Sequence, residues 1–393
     1  MVKKSLFVLI VLVLMVAVSQ PVSAANTPQT VPITGADSGT AIEGRYIVVF
    51  KPGTPGKELN SAVERTRSFG GEVYYMYDAA LNGFAASLPE EALKGLIHNP
   101  NIEYIEADQV VQLDTTQSPA TWGIDRIDQH ALPLSNSYSY DYTGSGVTAY
   151  IIDTGILFSH TQFGGRATSG WDFVDNDSDA TDCNGHGTHV AGTVGGETYG
   201  VAKGVSLVAV RVLDCSGSGT TSGVIAGINW VTSNHTDGKA VANMSLGGGT
   251  STALDTAVKN SIADGVVYAI AAGNDNRDAC KYSPARVPEA ITVGATTSTD
   301  SRASYSNYGK CLDLFAPGSS ITSAWYTSNT ATNTISGTSM ATPHVTGVAA
   351  LYLEGHSGTP QQVRDAVVAA ATSGVVTGAG RLSPNLLLYS LTP

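Results

Sequence analysis

The feature that most constrains this chain is one run near its C-terminal end, Gly337-Thr338-Ser339-Met340-Ala341-Thr342-Pro343-His344-Val345-Thr346-Gly347-Val348-Ala349-Ala350-Leu351. Glycine permits a tight turn and small residues let backbones approach closely. From Val345 onward the run has no polar face, so it predicts a buried helix. Pro343 is expected in the first helical turn, where its missing N–H is not needed, and that sets Ser339 just before or at the helix start. Free N–H groups and the helix dipole favour negative charge there. A serine so placed can attack a carbonyl while neighbouring N–H groups face the oxyanion. Ser339 or Thr338 could equally be a plain N-cap, the commoner task, and the run alone leaves both open.

Two further runs narrow the choice. Val147-Thr148-Ala149-Tyr150-Ile151-Ile152-Asp153-Thr154-Gly155 is a β-rich apolar stretch ending in a carboxylate and a glycine, as a buried parallel strand ends. Asp153 then lies where open α/β sheets put their sites. Asp182-Cys183-Asn184-Gly185-His186-Gly187-Thr188-His189-Val190-Ala191-Gly192-Thr193 is a glycine-flanked loop entering another small-residue helix. A nucleophilic serine needs a base, and the base needs a partner that fixes its tautomer. Asp153, His186 and Ser339 follow one another in that order.

These three runs and their order resemble the subtilisin-like serine proteases, in particular the proteinase K group and its secreted aqualysin-type members. The resemblance covers nearly the whole chain after residue 44. It implies a serine endopeptidase with Ser339 as nucleophile, His186 as general base and acid, and Asp153 orienting and stabilising His186. His189 corresponds to a second, non-catalytic histidine with a packing role. Two readings from other classes stand beside this one. A zinc hydrolase would use His186, His189 and Asp153 but leaves Ser339 without a task. A binding protein could keep the fold without the activity.

At the N-terminus, Lys3 and Lys4 precede an apolar run from Leu6 to Val18 and a small-residue site, Val22-Ser23-Ala24. The run is shorter than the roughly 18 to 20 residues of a spanning helix, so residues 1–24 are expected to be a signal peptide cleaved after Ala24. The mature protein is then expected outside the cell, with no membrane partner after signal removal. Residues 25–43 predict a disordered linker, with structure starting near Gly44. Strands are predicted at Arg45–Phe50, Gly71–Tyr77, Gly83–Leu88 and Ile102–Asp108, and helices at Lys57–Phe69 and Glu90–His98. That β-α-β-β-α-β order predicts a small α+β, ferredoxin-like domain over 44–114. It resembles the family's inhibitory propeptides, which template folding and lie in the cleft until cut, here near 112–116.

Residues 115–393 predict the catalytic domain. Strand-like runs at Val147–Ile152, Leu207–Val212, Val241–Leu246 and Val266–Ala271 alternate with helical runs at Thr221–Val231 and Thr252–Asp264. The alternation predicts an α/β fold, a doubly wound parallel sheet with helices on both faces, which is the subtilisin-like arrangement.

Gly217-Ser218-Gly219 and Ser245-Leu246-Gly247-Gly248-Gly249 are poor in side chains, so an extended peptide could pair with their backbone as an added strand. In the resembling family these segments flank the substrate. The glycines past Leu246 leave room for a first pocket that takes apolar or aromatic residues. By the same resemblance Asn274, in Ala271-Ala272-Gly273-Asn274, is an oxyanion donor alongside the Ser339 N–H. An Asx turn is the ordinary alternative.

The four cysteines of a secreted chain predict two disulfides, with three pairings possible. The aqualysin-type pattern implies Cys183 with Cys215 and Cys280 with Cys311. Structural calcium is expected from oxygen-rich loops, with no catalytic cofactor. The family positions are Asp125, Asp128 and Gln129, then Asp172 and Asp177, then Asp313 with the main-chain oxygens of Pro288 and Ala290. A net charge of −12 argues against nucleic acid as a partner. Expected partners are protein and peptide substrates and the chain's own propeptide, and the enzyme is expected to be a monomer.

Overall fold

The computed structural model describes residues 30–36, 41–109, 115–235 and 239–390. The expected signal peptide therefore lies outside the described residues, as does the stretch 110–114 at the expected maturation cut. The chain divides after residue 114 into two compact units.

The first unit contains β1 (Ile33–Thr34), β2 (Ala41–Phe50), α1 (Gly56–Ser68), β3 (Glu72–Tyr77), β4 (Gly83–Ser87), α2 (Glu90–Leu96) and β5 (Ile102–Gln109). Its sheet runs β1-β5-β2-β4-β3, and β1 joins in parallel with Ile33 opposite Ile105. Ordered structure thus begins before Gly44, because the stretch read as linker supplies both β1 and the start of β2. Leu59, Ala62, Val63 and Thr66 recur at helical spacing on the buried side of α1. The apolar members pack with Ala92 and Leu96 of α2 on Val48, Phe84 and Ile105 of the sheet. This is the predicted α+β domain.

The second unit opens with β6 (Thr116–Gln117), α3 (Trp122–Ile127) and β7 (Tyr138–Ser139). There follow β8 (Thr148–Asp153), β9 (Ala167–Asp172), α4 (His186–Gly195), β10 (Ser206–Arg211), α5 (Thr221–Asn234), β11 (Ala240–Met244), α6 (Thr252–Ala263) and β12 (Val266–Ala271). Next come β13 (Ile291–Thr296), β14 (Leu314–Pro317), the hairpin of β15 (Ile321–Ala324) and β16 (Thr332–Ile335), α7 (Thr338–Gly355), α8 (Pro360–Ala370), β17 (Thr372–Ser373) and β18 (Leu386–Leu387).

The nine-stranded sheet has the order β17-β18-β14-β13-β12-β11-β8-β10-β9. Only the β17–β18 pair is antiparallel. Side chains alternate across it, as period-two strands must. Ala149 and Ile151 join the cluster with Val190 of α4, Val345 of α7 and Val363 of α8. Tyr150 and Ile152 join the other with Val224 of α5 and Val258 of α6. Helices therefore cover both faces, as predicted.

Strand β8 lies between β11 and β10. The chain moves from β8 to β10 on one side, then crosses to β11 on the other, which makes the carboxyl end of β8 a topological switch point. Open α/β sheets bind ligands at such a place. Asp153 is the last residue of β8.

Helix α7 is buried almost throughout, but it corrects the expectation for its proline. The helix begins at Thr338 with Gly337 at the cap, and Pro343 sits inside it, beyond the first turn. Neither Ser339 nor Thr338 is the cap. A proline here withholds the N–H that would have bonded the Ser339 carbonyl four residues earlier. That carbonyl accepts instead from the Ser245 hydroxyl at 2.8 Å, beyond the end of β11.

Candidate active site

His186 is the first residue of α4, and Gly185 caps the helix with φ 110°. A side chain at Gly185 would strike the Trp325 ring at 2.6 Å. The unpaired N–H groups of the first turn each find an acceptor. His186 N bonds Asn184 Oδ1, Gly187 N bonds Thr154 Oγ1, Thr188 N bonds Asp182 Oδ2 and His189 N bonds the Gly185 carbonyl. Asp182, 5% exposed, also accepts from Thr154 Oγ1 and the Gly185 and Asn184 N–H groups. The sequence runs contain Asp182 and Thr154 but assign them no role; the Asp182-x-Asn184-Gly185 spacing before a helix is the available signal.

So held, His186 Nδ1 meets Asp153 Oδ1 at 2.8 Å. Asp153 is fully buried, and its Oδ1 also accepts from the Thr154 N–H at 2.7 Å. The His186 side chain remains 25% exposed. Burial draws the imidazole pKa down, but the Asp153 carboxylate and its hydrogen bond, with Asp182 behind, outweigh it and leave the pKa raised. With Nδ1 engaged, Nε2 is the free nitrogen.

Ser339 lies at the second position of α7. Its hydroxyl donates to the Ser245 carbonyl at 3.1 Å, and among the described residues it makes no hydrogen bond to His186. The Ser339 N–H has no partner among the described residues either. Beside it, Asn274 Oδ1 accepts from the Thr338 N–H at 2.8 Å and the Thr338 hydroxyl at 3.0 Å. Those two donors fix the amide orientation and leave Nδ2 free. A point built where a Cβ on Gly337 would stand is 3.6 Å from both Asn274 Nδ2 and Ser339 N, so two donors converge there.

Two adjoining cavities meet at this site. One, of ≈ 520 Å³, has His186 on its wall between Gly217-Ser218-Gly219 and Ser245-Leu246-Gly247-Gly248. The other, of ≈ 360 Å³, shares Leu246 to Gly249 and adds Ala271, Asn274, Tyr282, Ala285 and Ser339. The expected strand Val241–Leu246 stops its ladder at Met244, so Ser245 and Leu246 project beyond the sheet.

His189 and His344 are elsewhere engaged. His189 Nε2 meets the Ile321 carbonyl at 3.0 Å, and burial lowers its pKa to about 4. His344 Nδ1 meets the Met340 carbonyl at 2.9 Å, and burial again lowers the pKa to about 4. His186 Nδ1 and His189 Nε2 are thus both committed to protein partners, which argues against the zinc reading. Both disulfides form as the resemblance implied, Cys183–Cys215 and Cys280–Cys311. With sequence separations of 32 and 31 residues, each restrains the unfolded chain by about 3 to 4 kcal/mol in the loop-entropy account. The first links the His186 loop to the Gly217 wall, where Asn184 Nδ2 also bonds the Cys215 carbonyl at 3.0 Å.

The calcium positions differ in fit. Asp128 Oδ1 is buried without a partner, and burial, with a smaller contribution from the Asp125 charge, pushes the Asp128 pKa up to about 6. Gln129 Oε1 joins Asp125 Oδ1 on the Ser135 N–H. This set fits a cation that would satisfy the orphaned oxygen. The second does not, because Asp172 is paired with the buried Arg211 and Asp177 Oδ1 accepts from the Asp179 N–H. The third does not either. Asp313 gives one oxygen to Arg364 and the other to the Thr292 N–H, and no bond joins it to Pro288 or Ala290 among the described residues. Among the described residues no three His, Cys, Asp or Glu side chains gather as a metal cluster.

Comparison with known proteins gives two family matches. The family described as the subtilase family matches residues 144–384, and the one described as peptidase inhibitor I9 matches residues 45–114. The chain is 59% identical to an extracellular serine proteinase of Thermus sp. (strain Rt41A), covering 98% of each protein. It is 54% identical to alkaline serine exoprotease A of Vibrio alginolyticus, over 96% of this chain and 74% of that one. A crystal structure of a cold adapted subtilisin-like serine proteinase is 61% identical, with a TM-score of 0.69, covering 70% of this chain and all of that one.

Proposed function

The chain belongs to the subtilase family of serine peptidases, and on that premise we propose that it is an extracellular endopeptidase, made as a zymogen, whose chemistry is carried by Asp153, His186 and Ser339. The observation that carries the assignment is the 2.8 Å bond from the buried Asp153 to His186 Nδ1, on a cavity continuous with the Ser339 pocket. Asp153 fixes the tautomer in which Nε2 is the base. Ser339 must leave the Ser245 carbonyl and turn its hydroxyl to Nε2, which takes the proton as Oγ attacks the peptide carbonyl. Asn274 Nδ2 and the Ser339 N–H then receive the oxyanion, and one such donor is worth about 3 to 4 kcal/mol of barrier. His186 passes the proton to the leaving amine, and water, activated the same way, releases the acyl group.

Gly217-Ser218-Gly219 and Ser245-Leu246-Gly247 form the two walls between which an extended peptide would pair. The second cavity, lined by Gly248, Ala271 and Ala285 with Tyr282, suits an apolar or aromatic residue before the cut. The inhibitor-family match supports residues 45–114 as the inhibitory propeptide, and we extend its role to templating the fold. Structural calcium at Asp125, Asp128 and Gln129 completes the proposal. A chelator should lower the Tm of the wild type and leave Asp128→Asn unmoved, since a ligand held only by the native state raises its stability.

The deciding experiment is Ser339→Ala beside wild type. The substituted chain should stay unprocessed, resist a serine-directed phosphonate and cut no peptide. Retained cleavage would remove the assignment, and faster cleavage after basic than after aromatic residues would remove the specificity.

A further inference from the structure

We infer that Asn307 is a positioning residue for the oxyanion donor Asn274, an inference that rests on the role just proposed for Asn274. Asn274 is exposed just past the end of β12, and among the described residues its side chain is tied down only through Thr338. An exposed amide stabilises an oxyanion only if it is already aimed when charge develops, so something must hold its backbone.

Asn307 does this from the interior, where it is fully buried. Its backbone N–H donates to the Gly273 carbonyl at 2.9 Å, and its Nδ2 donates to the Ala272 carbonyl at 2.8 Å. Its Oδ1 accepts from the Asp275 N–H at 3.1 Å and the Arg277 N–H at 2.8 Å. These four bonds straddle Asn274, two on each side. The fit is close, because a Cβ on Gly273, whose φ is +100°, would lie 2.4 Å from Asn307 Nδ2. Flanking bonds continue the clasp, from Asn276 N to the Tyr305 carbonyl and from Tyr308 N to the Arg277 carbonyl, and Cys280–Cys311 closes it covalently. Asn307 touches no reacting atom, so its effect passes through Asn274.

The test is a double-mutant cycle on the mature enzyme, with kcat expressed per active site titrated by a serine-directed phosphonate, so that misfolded molecules do not count. Asn274→Ala alone tests the donor role and should lower kcat about 100-fold or more. Asn307→Ala and the milder Asn307→Ser should lower kcat about tenfold or more with KM changed less than about twofold, and in the Asn274→Ala background that loss should shrink below about threefold. Kcat unchanged in Asn274→Ala would fail the donor role and the inference with it. If that variant is impaired, two results overturn the inference alone: Asn307 variants with lowered Tm but normal kcat per site, or the same loss in both backgrounds.

Discussion

Ser245 and Ser339 exchange a pair of hydrogen bonds, each hydroxyl donating to the other's carbonyl, at 2.8 Å from Ser245 and 3.1 Å from Ser339. The first bond exists because Pro343 has no N–H to offer the Ser339 carbonyl. Behind it, Asn243 Nδ2 donates to Ser245 Oγ at 2.8 Å and Asn243 Oδ1 accepts from Thr346 of α7. The Ser339 backbone is therefore pinned to β11 through buried polar groups.

Ser245→Ala should strip that carbonyl and the Asn243 amide of their partner together. Leaving buried polar groups unpaired costs about 1 to 3 kcal/mol, and a displaced nucleophile should lower kcat about tenfold. Thermal unfolding and single-turnover acylation measure the two effects. Neither moving would show the exchange to be incidental.

Gly337→Ala puts a methyl where two donors converge, with no atom beyond its two chain neighbours nearer than 3.6 Å. The enzyme should fold with Tm almost unchanged, while kcat/KM falls about 100-fold because the methyl occupies the place of the substrate oxygen. A normal rate would locate the oxyanion elsewhere.

Activity should rise with pH as His186 loses its proton, with the acid limb of kcat/KM above the ordinary imidazole value of about 6.5 because the pKa is raised. Asp153→Asn removes the raising charge and leaves burial, so the limb should move down as kcat falls by about 10⁴. A pH profile of residual activity reads both, and an unmoved limb would mean that another group titrates.

His189 and His344, each held near 4 by burial, affect stability rather than rate. Between about 6.5 and 4 the unfolded chain binds protons there that the native state refuses, so stability falls with pH across that window, by up to about 3 kcal/mol for each. Tm measured from pH 7 to pH 4 should fall less steeply in His344→Gln, which cannot titrate. An identical slope would show that His344 is not kept neutral.

The strands were legible because they depend on short-range pattern. Val266–Ala271 is predicted and found with the same ends, as an unbroken apolar run between turn signals must be. Pro343 was misplaced because its helical cost is offset by the Ser245 hydroxyl, 94 residues before the Ser339 carbonyl it bonds, which no local rule contains. Asp172 and Asp313 looked like free cation ligands for the same reason, since Arg211 and Arg364 reach them from 39 and 51 residues on. Asp182 and Asn307 escaped notice because an Asx residue in a loop reads as turn chemistry until its burial is seen.

The attachment of the site to the sheet has one more consequence. Asp153 and His186 hang from β8 and α4, whereas the cavity walls at 217–219 and 247–249 follow β10 and β11, each a short excursion on a separate strand. Lengthening or exchanging 217–219 or 247–249 should nonetheless be felt at the reacting groups, because Cys183–Cys215 ties the first segment to the loop of His186 and Ser245 ties the second to Ser339.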